Sequence, residues 1–161
     1  MTIEVRLSKE SDVEQLLEID NRIWNSTTTP AIIKWNSVSE YKQKNPEGSQ
    51  LVALVNGQVA GFLGFHSPTP LNTNQHVLEI DIAVDMHFQG SGVGRSLLSN
   101  AENIFKEKGI KKLSLRVLET NSGAIQFYQK CGFRVQGELI NEFFIDGKYV
   151  NDVLMYKLLD W

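Results

Sequence analysis

A single cysteine, Cys131, rules out an internal disulfide in the 161 residues and leads to the expectation of a reducing, cytoplasmic setting. Long apolar runs are also missing, so no segment qualifies as a bilayer span and no membrane partner is expected. The first twelve residues, MTIEVRLSKESD, lack the uninterrupted apolar stretch of a signal peptide. Positive charge is not in excess either: 16 basic against 19 acidic residues give a net charge of −3, and no nucleic-acid partner is expected from so weak and negative a balance. The three histidines, His66, His76 and His87, share no metal-ligand spacing, and no metal is expected. Repeats, low-complexity tracts and linkers are absent, and the length suits one domain over residues 1–161.

What is present is a mixed order of strands and helices. IEVRL alternates like a short strand, and Ser11 with Glu14 has the spacing of a capping box before a helix whose apolar positions include Val13, Leu16, Leu17 and Ile23. A more polar helix is expected over roughly residues 34–44. LVALVNGQVAGFLGF then places Asn56-Gly57 between two β-rich runs, the signature of a hairpin with a primed turn. After a loop with two prolines, HVLEIDIAV reads as a strand with Leu78, Ile80, Ile82 and Val84 on one apolar face and Glu79 and Asp81 on the other. A helix from Val93 to a stop at Gly109, the strand KLSLRVL, and a short helix between Asn121 and Gly132 follow. Two long strands joined at Asp146-Gly147 end the pattern.

The stretch that carries chemistry is QGSGVGRSLL, residues 89–98, where Gly90, Gly92 and Gly94 run into a helix. Glycine is a poor helix former, so the cluster needs a reason. A helix entrance offers unpaired N–H groups and the positive end of the helix dipole, and glycines there remove the Cβ atoms that hold a bulky phosphate away. A nucleoside-triphosphate loop would need a Gly-Lys-Ser/Thr ending that is absent here. A dinucleotide fold would carry its glycines near the first strand rather than past the middle of the chain, after an antiparallel hairpin.

The spacing Gln89, Gly92, Gly94, directly after a strand, resembles the central motif of the GCN5-related N-acetyltransferase (GNAT) superfamily. ETNSGAIQFYQKCGF resembles its second segment through Asn121, Ala124, Tyr128, Gly132 and Phe133, and the element order matches from Ile3 to Leu158. The resemblance implies an α+β GNAT fold: a central, mostly antiparallel, splayed sheet of six to seven strands with about four helices. It also implies acetyl-coenzyme A as cosubstrate. The backbone of Ile82, Ala83 and Val84 would pair with the pantetheine arm, and Gln89, Gly90, Ser91, Gly92, Val93, Gly94 and Arg95 would surround the pyrophosphate. An N–H near Val84 would hold the thioester carbonyl as negative charge grows on it.

On a helix, Asn121, Ala124 and Tyr128 share nearly one side. A phenol, with an ordinary pKa of about 10, can protonate a departing thiolate at neutral pH, so Tyr128 is the expected general acid. Ala124 would admit the pantetheine and Asn121 bond it. For the base, Glu79, Asp81 and a water chain stay open. Some peptide-acetylating relatives have a glutamate at the position aligned with Arg116, a departure in this chain. Trp24 and Trp35 fall where relatives line the acceptor site, with core packing as the competing role, and Cys131 is expected to pack. The reading is a transfer of acetyl from acetyl-coenzyme A to a primary amine of a small molecule by direct attack. Acetylation of a protein or peptide, or acyl-coenzyme A binding without turnover, are the alternatives. Long terminal strands and the resemblance leave room for a homodimer.

Overall fold

The alternating IEVRL becomes strand β1, Ile3–Leu7, antiparallel to β2, Gln50–Val55, which in turn pairs antiparallel with β3, Gln58–His66. The turn between β2 and β3 has φ of 52° at Asn56 and 78° at Gly57, the two positive values that a type I′ turn demands. Helices α1, Val13–Ile23, and α2, Val38–Lys44, follow β1, and strand β4 is Val77–Val84. Helix α3 is Val93–Glu107, β5 is Lys112–Leu118, α4 is Ser122–Lys130, β6 is Arg134–Ile145 and β7 is Lys148–Leu158. The computed structural model describes residues 1–159; Asp160 and Trp161, the end of the expected domain, lie outside the described residues.

Contacts gather into two units, each assembled from separated stretches of chain. The first comprises Met1–Ile23, Ile33–Phe65 and Asp81–Lys108; the second comprises Trp24–Ile32, His66–Ile80 and the chain from Gly109 onward. All six residues of β2 are buried, and Leu16, Ile19, Tyr41, Leu51, Leu63, Leu97 and Leu98 form the center of the first unit's core. Phe65 and Phe105 meet edge to face at 5.0 Å within it. The second unit centers on Leu113, Leu115, Leu118, Phe133 and Met155.

Strand order is β1-β2-β3-β4-β5-β7-β6 in a seven-stranded sheet, with four α-helices among the described residues, so the expected α+β fold is the one found. The pairings of β1 with β2, β2 with β3, β5 with β7 and β6 with β7 are antiparallel, whereas that of β4 with β5 is parallel and covers Val77–Glu79 against Lys112–Ser114. Among the described residues no helix is long and apolar enough to cross a membrane.

Three local expectations need correction. The first helical turn is capped by Asp12, whose Oδ2 accepts from Lys9 N at 2.8 Å, rather than by Ser11 with Glu14. The same carboxylate takes a bidentate pair from Arg6 at 2.7 and 2.9 Å, so one buried group both caps the turn and ties it to β1. Strand β4 does not divide into one apolar and one polar face. Val77 and Ala83 are buried on the parity of Glu79 and Asp81, and Ile80 is buried on the other, so apolar packing reaches both faces of the strand. The polar helix is also shorter than expected, since Ser37 Oγ accepts from Glu40 N at 3.1 Å and starts α2 at Val38.

Candidate active site

In the first unit, β4 runs out at Val84 into a turn at Met86–Phe88 and then into the glycine loop. Asp85 starts that turn, its Oδ1 accepting from His87 N at 3.0 Å. Gln89 folds back, Nε2 donating to Val84 O at 3.3 Å, while Ser91 Oγ donates to Phe88 O. Gly90 and Gly92 have φ of 77° and 91°, so the backbone itself demands glycine at both. A Cβ at either would meet no protein atom within 4 Å, so the space above them is open.

Helix α3 then begins with Gly92 as its N-cap, without a side-chain cap and without an acidic residue in its first turn. The N–H groups of Val93, Gly94 and Arg95 stand at the helix start, where helix geometry provides no carbonyl partner. This combination of donors, dipole and open space fits a phosphate. Val93 adds only its backbone, since its side chain is 1 % exposed in the core, whereas Gln89, Gly90 and Arg95 are exposed.

In the second unit, Asn121 caps α4 as expected, its Oδ1 accepting from Ala124 N at 3.3 Å. The amide's other end keeps its N–H donors for a further partner. Asn121, Ala124 and Tyr128 occupy the less exposed side of α4, with Tyr128 only 7 % exposed. Its ring lies against Phe127 at 5.3 Å and Phe133 at 5.5 Å, both tilted edge to face. Gly132, at φ 94°, ends the helix and turns the chain so that Phe133 N reaches Tyr128 O at 2.9 Å. Ile82–Val84 and Gln89–Arg95 thus belong to the first unit, and Asn121, Ala124 and Tyr128 to the second.

The two candidate bases part company. Glu79 Oε2 lies 2.9 Å from His66 Nε2. Asp81 is exposed and lies flat over β3, its Oδ1 2.6 Å from where a Cβ of Gly64 would stand. Gly64 pairs with Gln50 across the β2–β3 ladder, and directly opposed residues share a sheet face. Gln50 Oε1 accepts from the Tyr41 hydroxyl at 3.2 Å, so Asp81, Gln50 and Tyr41 lie toward one side of the sheet. Burial pushes the Tyr41 hydroxyl well above its ordinary pKa; the hydrogen bond to Gln50 opposes this and the charges of Asp20 and Asp81 add to it. Trp35 completes the group, with Nε1 donating to Asp20 Oδ2 at 2.8 Å and its ring edge-on to Tyr41 at 5.1 Å.

Of this group, sequence reasoning singled out Asp81 and Trp35 but missed Tyr41, Gln50 and Asp20, as well as the buried Asp85 and its ion pair with Arg22. The signal for part of it was in VAGFLGF: two glycines inside one strand mark a close approach by a neighbor. Arg116 Nε donates to the buried Asp152 Oδ2 at 2.6 Å. Cys131 is half-buried and its carbonyl accepts from Lys157 Nζ at 2.8 Å.

Comparison with known proteins gives a consistent picture. The model of the acetyltransferase (GNAT) family matches residues 12–133. Spermidine N(1)-acetyltransferase of Escherichia coli K12 is 26% identical over 160 residues, covering 96% of this chain and 84% of that protein. An L-amino acid N-acyltransferase of the same organism is 24% identical, covering 97% and 94%. Among solved structures, smu.2055 of Streptococcus mutans UA159 superposes with a TM-score of 0.89 at 30% identity, covering 98% of this chain and 99% of that one.

Proposed function

The chain belongs to the acetyltransferase (GNAT) family, and from that premise we propose that it moves an acetyl group from acetyl-coenzyme A to a primary amine of a small molecule by direct attack. The observation that carries the proposal is the entrance of α3: glycines at positive φ, open space above them, unpaired N–H groups and no competing carboxylate. Acetyl-coenzyme A supplies the activated acyl carbon as a thioester.

Gln89–Arg95 hold the pyrophosphate through backbone N–H groups, and the edge of Ile82–Val84 receives the pantetheine arm. An N–H near Val84 stabilizes the oxygen of the attacked carbonyl. Asp81 attracts the acceptor's ammonium and takes its proton, directly or through water, which leaves the nitrogen lone pair to form the C–N bond. Tyr128 gives its proton to the sulfur as the C–S bond breaks, the second proton shed by the nitrogen returns through water to the Tyr128 oxygen, and the proton on Asp81 passes to solvent, so the products are the N-acetyl amine and the free thiol. Asp81 is preferred to Glu79 because it is the more exposed of the two and lies on the side of the sheet that carries Gln50 and Tyr41.

A small acceptor is supported by Arg116, which is occupied with Asp152, and by the named activities of the similar spermidine and amino-acid enzymes. Thiol release with acetyl-coenzyme A and a panel of polyamines, amino acids, aminoglycosides and short peptides tests the reading. Turnover on a polyamine or an amino acid supports it. Turnover on peptides alone moves the acceptor to the macromolecular class, and coenzyme A binding without turnover on any acceptor reduces the protein to a binding module.

A further inference from the structure

Asp85 is 1 % exposed and sits immediately after β4, four residues ahead of the glycine loop. Its attachments come from several directions within the first unit. Its N–H donates to Ala60 O at 2.8 Å, its carbonyl accepts from Phe88 N at 2.8 Å, and its Oδ1 accepts from His87 N at 3.0 Å. Its Oδ2 accepts from Arg22 Nη2, in the last turn of α1. Asn or Ser would cap the Met86–Phe88 turn as well as Asp does. The negative charge is therefore unnecessary for the turn, and burying it is costly unless a cation answers it.

The charge also stands close in sequence to a loop suited to phosphate, where an uncompensated carboxylate repels the ligand. Arg22 removes that conflict. Its side chain is 41% exposed, it reaches in from the surface, and its position at the helix C-terminus is one that the dipole favors for a cation.

We propose that the Arg22–Asp85 ion pair is a positioning clamp for the coenzyme A loop: it ties the exit of β4 to the end of α1 and cancels the Asp85 charge beside the pyrophosphate position. The inference rests on Gln89–Arg95 being the pyrophosphate cradle. Neither residue touches the reacting atoms; both act through the loop.

The test is calorimetric binding of coenzyme A to the wild type, Arg22→Gln, Asp85→Asn and the double variant, with KM and kcat alongside. Arg22→Gln leaves a buried carboxylate unanswered and is expected to weaken coenzyme A about tenfold, with the loss in the KM for acetyl-coenzyme A rather than in the KM for the amine. The double variant removes that carboxylate charge, so it is expected to bind coenzyme A about threefold or more tightly than Arg22→Gln, a rescue that loss of a mere structural brace would not give. Wild-type affinity in Arg22→Gln, or no rescue in the double variant, overturns the clamp. If Arg22→Gln does not fold, Asp85→Asn and the double variant decide: weakening of about threefold in both supports the clamp and unchanged affinity in both overturns it. A wild type that binds no coenzyme A overturns the cradle itself, an outcome distinct from failure of the clamp.

Discussion

The carbonyl of Ala83 occupies the place where a side chain of Gly61 would begin: a Cβ there would lie 2.7 Å from Ala83 O. Three residues along the same strand, the Asp81 carboxylate fills the corresponding place at Gly64, at 2.6 Å. The two obstacles differ in kind, backbone in one case and the end of a flexible side chain in the other.

Gly61→Ala should therefore lower stability by about 2 kcal/mol or more, because strand backbone must move, and should weaken coenzyme A binding through Ala83 and Val84. Gly64→Ala should cost about 1 kcal/mol or less and act on the amine KM by turning Asp81 aside. Thermal melts paired with KM for both substrates check this contrast; equal stability losses would mean that the carboxylate has no freedom to move.

Tyr128→Phe keeps the ring contacts with Phe127 and Phe133 and removes only the hydroxyl. Turnover is expected to fall about 100-fold while coenzyme A affinity stays within about twofold. Thiol release and calorimetry separate the two effects, and a parallel loss of affinity would assign the hydroxyl to binding.

Asp81→Asn should raise the amine KM about tenfold with little change in the KM for acetyl-coenzyme A. Glu79→Gln, which disrupts the pair with His66, is expected to leave the amine KM within about twofold. The reverse ranking of the two variants would exchange their proposed roles.

Acid should act on the first turn. The hydrogen bonds from Arg6 hold the Asp12 carboxyl below the usual range, with burial opposing them. A lowered folded-state pKa means stability that is present above about pH 4, the unfolded value, and lost as pH falls through the folded one. Asp12→Asn should cost about 2–3 kcal/mol at pH 7. Its deficit relative to wild type should shrink toward pH 3, as denaturant melts at the two pH values will read.

Much of the fold was legible because local signals suffice for it. Asn56-Gly57 and Asp146-Gly147 specify their hairpins through positive φ, and KLSLRVL is the strand Lys112–Leu118 residue for residue. The glycine loop was legible for the same reason. Asp85 was not, because its burial and its partner 63 positions away follow from tertiary packing and leave no periodic trace in the sequence. Asp81 was visible as a candidate, but choosing it over Glu79 required its greater exposure and the pairing of Gly64 with Gln50.

In the second unit β7 lies between β5 and β6, pairing antiparallel with both. During synthesis β5 and β6 leave the ribosome before the strand that joins them, so each waits with an open edge. A chain stopped before Lys148 would keep both edges unsatisfied, with Val135, Ile140 and Phe144 of β6 already exposed apolar surface in the full fold. The closing strand thus governs whether this half of the molecule escapes aggregation as it is made, and a nonsense codon or ribosomal stall near the hairpin tip would yield a sticky fragment rather than a weakened enzyme.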